Sequence, residues 1–93
     1  MIAVLYEYDP ERRDLQMELR PEHREHLNAL HDKGLLVAAG AWGDDGAPGA
    51  LILINAQSNE AALEILGDDP YLAAGVIQAR TARTWTPPIG ALN

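Results

Sequence analysis

The stretch LLVAAGAW-GDDGAPG-ALILINA, residues 35–56, decides the fold because it predicts two buried strands joined by a turn. Leu35–Trp42 and Ala50–Ala56 are apolar runs of strand length. Residues 43–49 combine glycine, proline and aspartate, a composition typical of turns. Their glycines precede a strand rather than a helix, so they do not form a phosphate-binding loop. We therefore expect an antiparallel strand pair at the centre of the chain.

A helix is predicted on each side of this strand pair. The first begins near Pro21, because proline suits the first helical position, and ends at Gly34. Residues 11–19 are polar with scattered apolar positions, and they are expected to form a loop or a short helical turn. The second helix spans Asn59 to about Leu66, and one further turn covers Tyr71–Ala74.

One strand near each end of the chain completes the predicted order. Met1–Tyr8 alternates in the manner of a strand, and Gly75–Trp85 is more polar, as an edge strand would be. The tail from Thr86 holds two prolines and should cross a surface. The resulting β-α-β-β-α-β order predicts an α+β, ferredoxin-like fold. It has a four-stranded antiparallel sheet, the first and third strands at its centre, and two helices on one face.

The two faces of the predicted sheet are both apolar, which predicts a homodimer. Leu51 and Leu53 point to one face of the third strand, while Ile52 and Ile54 point to the other. Two helices can cover only one face of a four-stranded sheet, so the second face needs a partner. Packing against the same face of an identical copy meets that need.

Length and composition exclude several classes of protein. The 93 residues suffice for one domain, spanning 1–93, and carry a net charge of −7. Such a charge argues against nucleic acid and anionic membranes as partners. Cysteine is absent, which excludes disulfides, thiolate metal sites and a cysteine nucleophile. The apolar start is too short for a secretory signal, and no run suits a membrane span, so a cytoplasmic location is expected.

His23 and Asp69 are the main candidates for a chemical role. His23 lies on the apolar stripe of the first helix, either as a core histidine with one hydrogen bond or as a titratable imidazole at a cavity. Asp69 precedes Pro70 and is a standard helix N-cap. The two predicted helices run antiparallel, so the start of the first lies beside the end of the second. This topology brings His23 and Asp69 together.

Other side chains have weaker signals. Arg20 precedes the predicted helix and could hold an anionic substrate or pair with a carboxylate of the protein. Tyr6 and Tyr8 lie on one face of the first strand, and they either line a pocket or pack in the dimer core. His26 and His31 are expected to be solvated. Because the histidine spacing completes no ligand set, no metal is expected.

Two short motifs resemble the YciI-like (YCII-related) family. The first is Arg20-Pro21-Glu22-His23, which is followed by a set of spaced residues: His26-Leu27, Leu30, Gly34 and Ala39-Gly40. The second is Asp68-Asp69-Pro70-Tyr71, followed by Ala74-Gly75 and a strand ending at Trp85. The resemblance covers the chain from Met1 to about Trp85.

The resemblance implies a ferredoxin-like fold that pairs into a dimeric α/β barrel, with an active site of one histidine and one aspartate. By motif these are His23 and Asp69. The family is similar in fold to muconolactone isomerases, and one branch is linked to dehydrochlorination of a chlorinated hydroxyhydroquinone. Relatives often have Gly-Pro after the position of Gly40, whereas here Ala41 and Trp42 follow, and this tryptophan could reshape the pocket.

The resulting hypothesis is a cofactor-independent small-molecule enzyme that uses His23 and Asp69 for acid/base chemistry, as an isomerase or a lyase of the dehydrochlorinase type. Its substrate would be anionic or derived from an aromatic compound. The expected substrate contacts are Arg20, Tyr6, Trp42 and Tyr71. The alternative is a non-catalytic, dimeric ligand-binding or interaction domain in which the histidine and aspartate form a structural hydrogen bond.

Overall fold

A computed structural model describes residues 1–90 of the chain. Its strands are β1 (Ile2–Tyr8), β2 (Leu36–Ala41), β3 (Gly49–Ile54) and β4 (Ile77–Thr84), and its helices are α1 (Arg13–Asp32), α2 (Asn59–Ile65) and α3 (Pro70–Ala73). A short 3-10 turn, Pro10–Arg12, precedes α1. The predicted β-α-β-β-α-β order is confirmed, with α3 as the predicted extra turn after α2. The strand ends differ from the prediction by at most two residues.

The four strands form one antiparallel sheet in the order β2-β3-β1-β4. The predicted central pair of β1 and β3 is confirmed, and Val4 faces Ile52 across it. The more polar β4 is an edge strand, as its composition predicts. Among the described residues the chain therefore has the ferredoxin-like α+β fold.

Helix α1 begins at Arg13, so the prediction that it starts near Pro21 was wrong. Proline inside a helix removes one backbone hydrogen bond and crowds the carbonyl four residues earlier. Here Leu19 and Leu15 pack against the core, one and two turns before His23. Burial of this longer apolar stripe outweighs the preference of Pro21 for the first position of a helix. The ring of Pro21 lies exposed on the other side of the helix.

The core lies between the sheet and the helices. The inward face of β1 is fully buried at Ile2, Val4, Tyr6 and Tyr8. Ile52 and Ile54 of β3 continue this buried face. From the other side, Ala62 of α2 and the following Leu66 close the core at 0% exposure. Gly34 follows the C-terminal end of α1 and has a positive φ of 78°, which confirms its predicted role as a helix stop.

The other face of the sheet keeps apolar side chains that the chain itself covers only in part. Leu5 and Leu51 face each other there and are half-buried. The alternation along β3 places these leucines opposite Ile52, which faces the helices. This arrangement is the one from which the sequence predicted a homodimer, and the pairing itself stays a prediction.

The predicted surface tail begins after β4. Residues 86–90 contain neither helix nor strand and are mostly exposed, with Ile89 at 89% exposure. The last part of that tail, residues 91–93, lies outside the described residues. Within residues 1–90, no helix combines the length and apolarity required to cross a lipid bilayer.

Candidate functional site

His23 and Asp69 are in direct contact, as the sequence predicted. His23 lies in the middle of α1 and Asp69 immediately before α3, and they are 8% and 1% exposed. The Nδ1 atom of His23 lies 2.9 Å from Oδ1 and 2.8 Å from Oδ2 of Asp69. An ionised carboxylate can only accept hydrogen bonds, so Nδ1 carries the proton and donates it. This leaves Nε2 as the unprotonated nitrogen of the neutral ring.

The same carboxylate caps α3. The backbone N–H of Tyr71 donates to Oδ1 of Asp69 over 2.9 Å, which is the N-cap bond expected for an aspartate before proline. The capping role and the contact with His23 are therefore combined in one side chain. Because the cap fixes the carboxylate relative to the α3 backbone, it also fixes the direction in which His23 is held.

One tyrosine stacks on the imidazole, and a second packs against that tyrosine. The ring of Tyr71 stacks on His23 with centroids 3.8 Å apart and planes 3° from parallel. Tyr8 meets Tyr71 edge-on, at 5.6 Å and 90°. Aromatic contacts of these kinds are favourable beyond their buried area. The stack thus restricts rotation of the His23 ring about its side-chain bonds.

Burial keeps the tyrosine hydroxyls of this region protonated. It raises the pKa of Tyr8, and the neighbouring Tyr71 and Asp69 raise it further. Burial also raises the pKa of Tyr71, as does the charge of Asp69. The charges of Arg20 and Arg24 oppose that rise in the pKa of Tyr71. Both hydroxyls are therefore neutral near pH 7 and can donate hydrogen bonds.

A cavity of about 550 Å³ opens beside the imidazole, between α1 and the strands β2 and β3. Volumes of about 300–1,000 Å³ are typical of small-molecule sites. Nδ1 is the ring nitrogen of His23 that the described residues engage, so Nε2 is free to meet a molecule in this cavity. The apolar part of the wall includes Leu27, Leu36, Ala39, Ala50 and Ile52.

The structure brings together some of the predicted substrate contacts and not others. Arg20 and Tyr71 line the cavity with His23. Tyr6 is 1% exposed and is not among the lining residues, because it faces the core further along β1. Trp42 follows β2, is 46% exposed, and is likewise absent from the cavity wall. The site therefore draws its aromatic contacts from Tyr8 and Tyr71.

Of the two predictions about the other histidines, the one for His31 is confirmed and the one for His26 needs correction. His31 is exposed as expected, but it also lines the far end of the cavity. His26, expected to be solvated, is half-buried, and its Nε2 has no hydrogen-bond partner among the described residues. It lies one turn after His23 and so shares that edge of the helix. Within residues 1–90, no three His, Asp or Glu side chains are grouped as metal ligands would be.

The residues that sequence reasoning missed lie on the polar side of α1. Gln16, Arg24 and Asn28 line the cavity together with Arg20. Their spacing of four residues places them on one face of a helix. The four-residue spacing was therefore present in the sequence, but Gln16 and Arg20 lie before Pro21, in the segment that was not assigned to the helix.

Comparison with known proteins identifies the family. The profile of the YCII-related domain matches residues 1–86. Protein YciI of Escherichia coli O6:H1 is 33% identical over 87 residues, covering 84% of this chain and 89% of the relative. Protein YciI of Shigella flexneri matches with the same identity and coverage.

A solved structure shares the fold. It is 5-chloro-2-hydroxyhydroquinone dehydrochlorinase from Burkholderia phenoliruptrix AC1100, in complex with 2,5-dihydroxybenzoquinone. The two structures superpose with a TM-score of 0.75, over 92% of this chain and 94% of that chain. Their sequence identity is 20%, so the likeness is one of fold.

Proposed function

The chain belongs to the YCII-related family, and from that premise we propose that its His23–Asp69 pair is the acid/base centre of a small-molecule enzyme. The observation that carries the proposal is that the two ring nitrogens of His23 have different surroundings. One nitrogen is held by a buried carboxylate, and the other is left for the cavity. A general base needs this combination of fixed orientation and a free lone pair.

The proposed reaction begins with proton transfer to Nε2 of His23. The proton comes from a carbon next to a carbonyl group or from a ring hydroxyl, and the electron pair left behind moves onto the substrate's oxygen-bearing system. Asp69 stabilises the imidazolium that forms, through the hydrogen bond to Nδ1. Acid/base assistance of this kind contributes about 10²–10⁴-fold to rates.

Two outcomes follow from the same intermediate. If His23 returns its proton to a different atom of the substrate, the reaction is an isomerisation. If a leaving group such as chloride departs with its electron pair, the reaction is an elimination. Both outcomes need only proton transfer and bond rearrangement, so the proposal invokes no cofactor.

The dehydrochlorinase that shares this fold supports the elimination reaction. A dehydrochlorinase removes the elements of hydrogen chloride, which requires a base where the proton leaves. The ligand named in its complex is a small planar molecule rich in oxygen. A cavity of about 550 Å³ suits a molecule of that size. We propose that this chain acts on a small anionic or aromatic-derived compound.

We further propose that the enzyme is a cytoplasmic homodimer. Leu5 and Leu51, on the sheet face away from the helices, are the centre of the proposed interface. Packing this face against its copy would bury apolar surface that one chain leaves half-covered. A chain without cysteine is compatible with a reducing compartment such as the cytoplasm.

Deuterium exchange tests the proposal without knowledge of the natural substrate. Small ketones, lactones and hydroxylated quinones would be incubated in D₂O with the protein and followed by proton NMR. We expect catalysed exchange at an acidic position of at least one compound, and a loss of about 10²-fold or more in Asp69→Asn. The amide keeps an oxygen for the Tyr71 cap but no longer holds Nδ1 as a donor.

The neighbouring Asp68 provides the matched control, because it is exposed and its change to Asn removes the same charge. Asp68→Asn should exchange deuterium at the wild-type rate. Catalysed exchange at equal rates in wild type and Asp69→Asn would reject the role of Asp69. Binding without any exchange would favour the non-catalytic binding domain.

A further inference from the structure

Two arginines line the cavity of an acidic protein. The chain has a net charge of −7, yet Arg20 and Arg24 both contribute to the cavity wall. None of the residues that line the cavity is an aspartate or a glutamate. The remaining polar lining consists of histidine, glutamine, asparagine and tyrosine side chains. The local charge of the cavity is thus opposite in sign to that of the molecule.

The helix itself separates the two signs of charge. Five acidic residues of α1 fall on an arc of about 80° at about 100° per residue: Asp14, Glu18, Glu22, Glu25 and Asp32. That arc lies on the side of the helix opposite the cavity. The positions three and four residues from Arg20 and Arg24 hold no acid. A cationic pair at this spacing is unfavourable for a helix, so helix stability does not explain it.

Within the described part of the chain, no carboxylate forms an ion pair with either arginine. The ion pairs within residues 1–90 join Asp9 with Arg12, His23 with Asp69, and His31 with Asp32. Arg20 and Arg24 take part in none of them. In a chain with twice as many acids as bases, two unpaired guanidinium groups side by side are available to an external anion.

The position of the pair along α1 places it at the catalytic end of the cavity. Arg20 and Arg24 are about 6 Å apart along the helix axis, and His23 lies between them in that direction. The charges of both arginines also act on the hydroxyl of Tyr71, whose ring stacks on His23.

We propose that Arg20 and Arg24 form a carboxylate-binding subsite that restricts the substrate to small anions. The inference rests on the proposed function of His23 and deepens it by naming the substrate class. The substrate's carboxylate would lie within about one helical turn of the proton that Nε2 takes. A guanidinium group matches a carboxylate through two parallel hydrogen bonds. It also stabilises negative charge that develops on adjacent atoms during proton removal.

A pair of probe molecules tests the subsite directly. The compounds 2,5-dihydroxybenzoate and hydroquinone share a dihydroxylated ring and differ by one carboxylate. Isothermal titration calorimetry would compare their dissociation constants for the wild type. We expect 2,5-dihydroxybenzoate to bind about tenfold more tightly or better, as a charge-assisted contact at a partly exposed site allows.

Matched variants assign the preference to the arginines. Arg24→Gln should remove most of the preference for the carboxylate and leave the affinity for hydroquinone nearly unchanged. Arg13→Gln is the control, because Arg13 is exposed at the start of α1 and does not line the cavity. It makes the same charge change and should keep the wild-type preference. Arg24→Lys keeps the charge without the planar guanidinium group, so its preference for the carboxylate should lie between those of Arg24→Gln and Arg13→Gln.

Several results would overturn the subsite. These are equal affinity of the wild type for both probes, an unchanged preference in Arg24→Gln, or no saturation by 2,5-dihydroxybenzoate up to about 5 mM. None of them touches the deuterium exchange that depends on Asp69. Exchange that is lost in Asp69→Asn, without a carboxylate preference, would keep the acid/base site and reject the subsite. A preference that follows Arg24, without exchange, would do the reverse.

Discussion

The two βαβ halves of this fold differ in whether they leave space under the helix. In the first half α1 has 20 residues, and one of its faces lines an open cavity above β2 and β3. In the second half α2 has seven residues, and its Ala62 and the following Leu66 are fully buried. Arg80 of β4 closes that side further by donating to the Leu63 carbonyl over 3.0 Å.

The difference comes from the residues that each helix turns toward the sheet. Next to its apolar stripe, α1 presents the polar side chains of Gln16, Arg20 and Arg24, which line the cavity. The inward residues of α2 are small or aliphatic and allow close packing. The closely packed second half also contributes to the site in the first half, since the turn after α2 supplies Asp69. A single carboxylate from the second half thus completes a site built mostly by the first.

Both halves contribute to the sheet face that lies away from the helices and is only partly covered, and disruption of this face should have the largest effect. Leu51→Glu would place a charge in the centre of the proposed dimer interface, at a cost of about 3–5 kcal/mol. Light scattering should show a wild-type mass of twice 10.1 kDa and a single-chain mass for the variant. Ala29→Glu, on the exposed side of α1, should remain dimeric. A wild-type protein of 10.1 kDa at micromolar concentration would contradict the interface.

Truncation of one leucine in each half would sharpen the comparison between closed and open packing. Leu66→Ala should lower the free energy of unfolding by about 2–5 kcal/mol, because it leaves a cavity in a fully buried place. Leu27→Ala should cost less, since Leu27 is half-buried and already borders a cavity. Urea denaturation measures both values. A loss at Leu27 equal to the loss at Leu66 would mean that the cavity is closed in solution.

Alkaline pH should weaken the fold through its buried tyrosines, with a smaller effect. Burial, aided by the charge of Asp69, raises the pKa of Tyr6 far above its usual value near 10. The unfolded chain therefore releases a proton above about pH 10 that the native state retains. Stability is fully present below that pH and falls as pH rises further. Tyr6→Phe should make this fall shallower in denaturation curves taken from pH 8 to pH 11, with at most about 1.5 kcal/mol of change at pH 8. An unchanged slope would contradict the assignment to Tyr6.

Much of the fold could be predicted because the local signals agree with one another. Short apolar runs, a seven-residue turn and two capped helices leave few possible topologies, and that topology brings His23 to Asp69. The start of α1 could not be predicted from local rules, because the preference of Pro21 was outweighed by the distant contacts of Leu15 and Leu19.

The cavity was harder to predict than the pair of residues beside it. Alternation along a strand shows which face a residue is on, but not which helix lies above it. For this reason Tyr6 and Tyr8 could not be distinguished, although Tyr8 lines the cavity and Tyr6 does not. Likewise, the four-residue spacing of Arg20 and Arg24 indicates a shared face, but only the packing of α1 over β2 shows what that face meets.

The protonation of the His23 ring tests the central claim most directly. Two-bond correlations between ring nitrogens and ring protons, recorded by ¹⁵N NMR at a pH where the imidazole is neutral, distinguish its two tautomers. The wild-type protein should carry the proton on Nδ1 and leave Nε2 bare, and Asp69→Asn should reverse this, since an amide can donate to Nδ1. A wild-type ring with its proton on Nε2, or a tautomer unaffected by Asp69→Asn, would contradict the assignment of His23 as a base held by Asp69.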